Sequence, residues 1–234
     1  MNAKQTTVLE TAACFSVGTL VHTKEGLVPI EQIKVGDWVL SKHESGQGER
    51  EYKRVTKTYV HDEQEVMVVT YGDQLAEGSW WADILLATLN HPFWVEGKAW
   101  VEARSFLDRK NSRSRLEVLD HAVAKTYGSG RTYITDDANH IWFPTGYGSS
   151  ALQNSGDLVD IRTAGYVLVD NPKDALDRVS KPWNFFHSAS IEGTYVPTRK
   201  FLYRCRVYNL EVEDYHTYYV GKHGVWVHDK SINS

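Results

Sequence analysis

A length of 234 residues suits one sizeable domain, or one domain carrying an insertion. A hydrophobic share of 41% with 24% charged residues is the composition of a soluble globular protein, and no apolar run reaches membrane-spanning length. A net charge of −4 excludes a global basic footprint for nucleic acid or an anionic membrane, and two cysteines, Cys14 and Cys205, are too few for a disulfide framework.

Along the chain, residues 1–13 lack the basic start and apolar centre of a signal peptide and read as the flank of something longer. Residues 19–22, 38–41, 53–61 and 65–71 are rich in Val, Thr and Tyr and predict short strands. Glu44-Ser45-Gly46-Gln47-Gly48 predicts a polar turn between two of them. Residues 29–33 predict a single helical turn ending before Gly36. Residues 100–107 predict a short amphipathic helix with Trp100, Ala103 and Leu107 on one face. From 201 to 213 the pattern returns to strand, with Tyr203, Cys205 and Val207 on one side. The fold class read from these elements is all-β.

One internal similarity organises the rest. His91-Pro92-Phe93-Trp94-Val95-Glu96-Gly97-Lys98-Ala99-Trp100-Val101 reads as a histidine, an aromatic strand, a glycine turn and a Trp-Val strand. His216-Thr217-Tyr218-Tyr219-Val220-Gly221-Lys222-His223-Gly224-Val225-Trp226-Val227 repeats it with one residue added. Aromatic hairpins recur by chance. The alternative is a fold of two related halves, each delivering a histidine to a shared cleft.

Four blocks in order now stand out: Cys14-Phe15-Ser16-Val17-Gly18-Thr19-Leu20-Val21; Thr88-Leu89-Asn90-His91; the run from Val207-Tyr208-Asn209-Leu210-Glu211-Val212-Glu213-Asp214-Tyr215 to His216-Thr217-Tyr218-Tyr219-Val220-Gly221; and His228-Asp229. Together they resemble the Hint (Hedgehog/intein) superfamily, and within it the pretoxin Hint domain of bacterial polymorphic toxins. The resemblance covers residues 14–107 and 201–229. It implies an all-β Hint/intein horseshoe with pseudo-two-fold halves and an insertion of about residues 108–200 between the middle and C-terminal blocks. The corresponding division is a flank at 1–13, a Hint domain at 14–229 and a stub of the following segment at 230–234.

A cysteine opening such a domain can attack the carbonyl before it, here that of Ala13, and convert the amide to a thioester. The thiol must lose a proton and the amide nitrogen must gain one. The resemblance assigns the donor role to His91 and has Thr88 hold the scissile amide or its oxyanion. At the other end, relatives cyclise a terminal asparagine and cut behind it. The resemblance maps the assisting histidines to His216 and His228, and the cut to the Asp229–Lys230 bond.

Three residues depart from that pattern. Asp229 stands in place of asparagine, and a carboxylate would have to close an anhydride-like ring, so slow or absent C-terminal cleavage is expected unless it is partly protonated. Lys230 stands where splicing inteins carry Cys, Ser or Thr, although Ser231 lies one further on; splicing is not expected. Asn209 occupies a position often held by aspartate, and it hydrogen-bonds without acting as a base.

The function implied is autoproteolysis that releases a downstream toxin, with the chain's own flanks as substrate. The partners implied are the C-terminal toxin domain and the secretion machinery of a delivered bacterial effector. No cofactor or metal, no nucleic-acid or membrane partner is expected, and the domain is read as a monomer. A degenerate, non-catalytic Hint spacer or docking module is the alternative, favoured by Asp229.

Simpler readings accompany the individual residues. Cys14 alone would be a small buried residue, and His91 alone would cap a turn. Cys205 reads as core, although a regulatory Cys14–Cys205 disulfide would switch off the nucleophile. His61-Asp62 and His228-Asp229 lack the further ligands a metal site needs. Within 108–200 the basic run Arg109-Lys110-Asn111-Ser112-Arg113-Ser114-Arg115 reads as exposed. Asp120-His121 and Asn139-His140 are only fragments of an endonuclease motif, so a partly β elaboration is expected there.

Overall fold

The computed structural model describes residues 12–74, 80–108, 113–119, 124–126, 129–131, 133–134, 140–144, 156–160, 167–169, 201–202 and 204–230. Most of the flanks at 1–13 and 230–234, Ser231 included, lie outside them, as do most of 108–200, Tyr203, Asp120, His121 and Asn139.

The first strands are β1 (Phe15–Ser16), β2 (Leu20–Thr23), β3 (Gly26–Pro29), β4 (Trp38–Ser41), β5 (Glu51–Gln74) and β6 (Trp80–Thr88). They are followed by β7 (Pro92–Val95), β8 (Ala99–Glu102), β9 (Arg115–Leu116), β10 (Ala124–Thr126) and β11 (Gly130–Arg131). Next come β12 (Tyr133–Ile134), β13 (His140–Pro144), β14 (Gly156–Asp160), β15 (Val167–Val169) and β16 (Phe201–Leu202). The chain closes with β17 (Arg204–Val212), β18 (Thr217–Val220) and β19 (Val225–His228). Strands β1–β11 and β17–β19 form one 14-stranded sheet and β12–β16 a second, five-stranded one. No α-helix occurs among the described residues. The predicted helical turn is a short 3-10 turn at Ile30–Gln32, tied down where the Ile30 N–H donates to the Thr19 carbonyl.

Two local expectations change. The two strands read at 53–61 and 65–71 are a single strand, β5, bent at Glu63 (φ +55°). β5 pairs with β17 from Val55 opposite Val212 to Glu65 opposite Arg204, just past Glu63, and then with β6 from Val66 opposite Thr88. The polar interruption marked the bend rather than an end, because partners on both sides keep the backbone hydrogen-bonded. The helix expected over 100–107 is instead the end of β8 and a 3-10 turn at Ala103–Leu107. Trp100 and Val101 pair with Trp94 and Phe93 across the β7–β8 hairpin, and that ladder overrides a weak helical period. Phe106 and Ala103 are the buried anchors of this segment, while Leu107 is exposed.

The internal repeat is real in three dimensions. His91 leads into the β7–β8 hairpin and His216 into β18–β19, and the hairpins join through β19 and β7, with Val227 opposite Phe93. Gly221 opens the second turn at φ +76°, where a Cβ would meet the Tyr71 hydroxyl at 2.6 Å. Phe15, Phe93, Phe106, Tyr218 and Trp226 are fully buried between the layers. Each such side chain contributes about 1.5–3 kcal/mol of hydrophobic stabilisation.

Candidate active site

The first chain end is gripped by Thr88, the last residue of β6. The Cys14 N–H donates to Thr88 Oγ1 at 2.9 Å, and that hydroxyl donates to the Ala12 carbonyl at 3.0 Å. The Thr88 N–H donates to the Cys14 carbonyl at 2.9 Å. The threonine therefore holds the amide nitrogen of the Ala13–Cys14 bond and braces the residues on either side of it.

Cys14 is wholly buried, in an apolar cluster with Val66, Val68, Ile84, Leu86 and Val207. That burial pushes its thiol up to about 12. Cys205 packs half-buried on the rim of the same cluster, and neither cysteine is joined in a disulfide. His91 is also wholly buried, its ring 4.0 Å from that of Phe15. Desolvation, and then the charge of His228, lower it to about 3, against a smaller opposing pull from the Ala13 backbone. Neither ring nitrogen completes a hydrogen bond among the described residues. His91 is therefore a neutral imidazole beside the bond it is expected to serve.

The second chain end is held more completely. Asn209, on β17, donates Nδ2–H to the main-chain oxygen of Asp229 at 2.6 Å. Its own Oδ1 accepts from the Leu210 N–H (2.8 Å) and the Tyr218 hydroxyl (2.7 Å), so the amide has only one orientation that satisfies all three. The Lys230 N–H donates to His228 Nδ1 at 3.0 Å. Both atoms of the Asp229–Lys230 peptide bond that change charge on cleavage are thus engaged.

The Asp229 side chain is buried. Its Oδ2 accepts the Val212 N–H at 2.9 Å and lies 3.4 Å from His216 Nδ1. Its Oδ1 accepts no hydrogen bond among the described residues and lies 3.6 Å from His228 Nδ1. Burial raises this carboxyl above the usual range, against the Val212 N–H and the nearby His228, His216 and Lys230. His216 itself adopts φ +54°, a left-handed conformation that costs about 1–2 kcal/mol without glycine. It positions the His216 carbonyl to accept the Asp229 N–H at 2.8 Å.

The two ends converge. Strand β1 pairs with β17 with Phe15 opposite Tyr208, which brings Cys14 level with Asn209. Tyr218 lies between them, its phenol raised well above its ordinary value by burial, then by Cys14 and Asp229. All seven residues singled out in the sequence lie here: Cys14, Thr88 and His91 at one bond, and Asn209, His216, His228 and Asp229 at the other. Two further residues touch the site without any sequence signal pointing to them. Tyr218 was absorbed into an aromatic repeat, and Glu44, whose Oε2 meets His228 Nε2 at 2.9 Å, into a polar turn. Away from the site, Asp62 pairs with Arg206 on the exposed face.

The all-β sheet brings residues from the two ends of the domain together. A bacterial intein-like domain from Clostridium thermocellum aligns with 92% of this chain and 97% of its own at 22% identity and a TM-score of 0.50. A DnaB intein from Synechocystis sp. PCC 6803 aligns over 93% and 99% at 12% identity and a TM-score of 0.43. A DnaX mini intein from Spirulina platensis aligns over 92% and 98% at 15% identity and a TM-score of 0.43. Comparison with curated proteins found no match. Residues 20–133 match the family model described as Pretoxin HINT domain. The chain has the Hint/intein fold, and its residues 20–133 are similar to the pretoxin HINT family.

Proposed function

We propose that this chain cleaves its own backbone, at Ala13–Cys14 by an N-to-S acyl shift and behind Asp229, to release a toxin segment downstream. The observation that carries the reading is the double hold on the Asp229–Lys230 bond: Asn209 Nδ2 on the carbonyl oxygen and His228 Nδ1 on the leaving nitrogen. Donors aimed at a developing oxyanion lower the barrier, by about 3–4 kcal/mol for one good donor.

Cleavage behind Asp229 balances as follows. The protonated side-chain carboxyl attacks its own main-chain carbonyl carbon, forming a C–O bond and breaking the C–N bond to Lys230. The carboxyl proton passes to His228 Nδ1 and on to the departing amine. Water then opens the cyclic anhydride. An asparagine at 229 would follow the same route through its amide nitrogen and give a succinimide, with a better nucleophile and no carboxylate to protonate first. At the first bond, Cys14 Sγ attacks the Ala13 carbonyl carbon and the thiol proton ends on the Cys14 nitrogen. A buried thiol and a neutral His91 make that step slow in the resting fold. Lys230 carries no hydroxyl or thiol to take up a branched ester, which favours cleavage over splicing.

A non-catalytic spacer is supported by Asp229 in place of asparagine and by the deep burial of Cys14. Intact mass over time decides between them, with and without hydroxylamine, for the chain itself, Asp229→Asn and Cys14→Ala. Loss of residues 1–13 on hydroxylamine addition, absent in Cys14→Ala, is expected from a thioester. Loss of residues 230–234 in Asp229→Asn is expected from competent C-terminal machinery. No mass change in any form overturns self-cleavage and leaves the spacer.

A further inference from the structure

Resting on that self-cleavage reading, we propose that Glu44 is a positioning residue for the C-terminal cut, acting through His228. Glu44 belongs to the turn between β4 and β5, remote in sequence from every block discussed above. Its Oε2 lies 2.9 Å from His228 Nε2, while the Lys230 N–H occupies His228 Nδ1 at 3.0 Å. An amide N–H needs a lone pair, so Nδ1 is bare and the ring proton sits on Nε2, donated to the Glu44 carboxylate. The glutamate thereby favours the tautomer whose Nδ1 lone pair faces the Lys230 N–H and can take a proton from residue 229.

The turn is built to hold that carboxylate. The Trp100 Nε1–H donates to the Glu44 main-chain oxygen at 2.9 Å, and the same indole meets the His228 ring edge-on at 5.0 Å. The Gly46 N–H donates to the His43 carbonyl at 2.8 Å. Gly46 itself has φ +81° and lies so close to Trp94 that a Cβ there would come within 2.7 Å of the ring. His43 Nδ1 and the Ser45 hydroxyl lie 2.8 Å apart and complete the loop. Side-chain exposure is 45% for Glu44 and 10% for His228, so solvent reaches the carboxylate far more than the imidazole.

During the cut the imidazole briefly holds protons on both nitrogens: the Nε2 proton stays on Nε2, hydrogen-bonded to Glu44, and the Nδ1 proton arrives from residue 229 and leaves on Lys230 nitrogen. A carboxylate behind a histidine stabilises that imidazolium and keeps the ring aimed without itself being protonated. No external acid is consumed.

The test uses the full chain. In the unmodified sequence, 15N NMR of labelled histidine reads the His228 tautomer; Glu44→Ala is expected to replace a single Nε2–H form with a mixture. In the Asp229→Asn chain, release of residues 230–234 is followed by mass. Glu44→Ala is expected to slow it about tenfold or more. Glu44→Gln, which still accepts the Nε2 proton but carries no charge, is expected to keep the tautomer and recover part of the rate. Unchanged release with Glu44→Ala overturns the proposal, as does an unchanged tautomer. If Asp229→Asn releases nothing, the self-cleavage reading has failed, and the tautomer alone decides whether Glu44 sets the His228 ring.

Discussion

Asn209 donates to the Asp229 carbonyl oxygen at 2.6 Å from an amide whose orientation is locked by Leu210 and Tyr218. Because Asn209 also stands level with Cys14 in the β1–β17 pairing, one side chain links the Asp229–Lys230 bond to the neighbourhood of the Ala13–Cys14 bond. Removing it should therefore cost chemistry more than stability. In the Asp229→Asn background, Asn209→Ala is expected to slow C-terminal release by roughly 100-fold or more, as for other single oxyanion donors, with release followed by mass.

Tyr218→Phe keeps the ring against Phe15 and removes the hydroxyl that fixes the Asn209 amide. The expected loss is about 1–2 kcal/mol of stability by urea unfolding, with slower release in the Asp229→Asn chain. Wild-type stability in this variant would show that Leu210 alone orients the amide.

Thr88→Val deletes the acceptor of the Cys14 N–H and the donor to Ala12 at nearly constant volume. It leaves a buried N–H without its partner, so a loss of about 1–3 kcal/mol is expected, with diminished hydroxylamine cleavage at Ala13–Cys14.

Two buried groups should give opposing pH dependences. Asp83, which accepts the Tyr71 hydroxyl at 2.9 Å, is raised by burial from 3.8 to about 6. The folded state then holds the extra proton, and stability present at low pH falls as pH rises from about 4 to about 6. His91 is lowered from 6.5 to about 3, so the unfolded state holds the extra proton and stability rises with pH across about 3 to 6.5. Urea unfolding between pH 4 and 7 separates them: Asp83→Asn should leave a curve that only rises, and His91→Phe one with a falling limb. Parallel curves for the two variants would contradict both assignments.

Thiol labelling of the native chain should favour Cys205. Cys14 is sealed in its apolar cluster with its thiol at about 12, whereas Cys205 is half-exposed at the rim. Mass spectrometry after a brief maleimide exposure should find Cys205 modified well before Cys14. Equal labelling would mean that the N-terminal end opens readily.

The sequence by itself determined the repeated hairpins, since alternating aromatic and β-branched residues around Gly97 and Gly221 specify strand, turn and strand locally. It also singles out the seven candidate positions, because they lie within recognisable blocks, six at or beside a strand end and Asn209 inside β17. Only the tertiary structure decided their states. The Cys14 thiol and the His91 ring are both neutral because the sheet buries them, and desolvation is a property of everything packed around a group rather than of its neighbours in the chain. The strand bend at Glu63 likewise depended on which partners β5 found on either side. Glu44 and Tyr218 were illegible for the same reason: a turn glutamate and a strand tyrosine acquire roles only when folding brings them to His228 and Asn209.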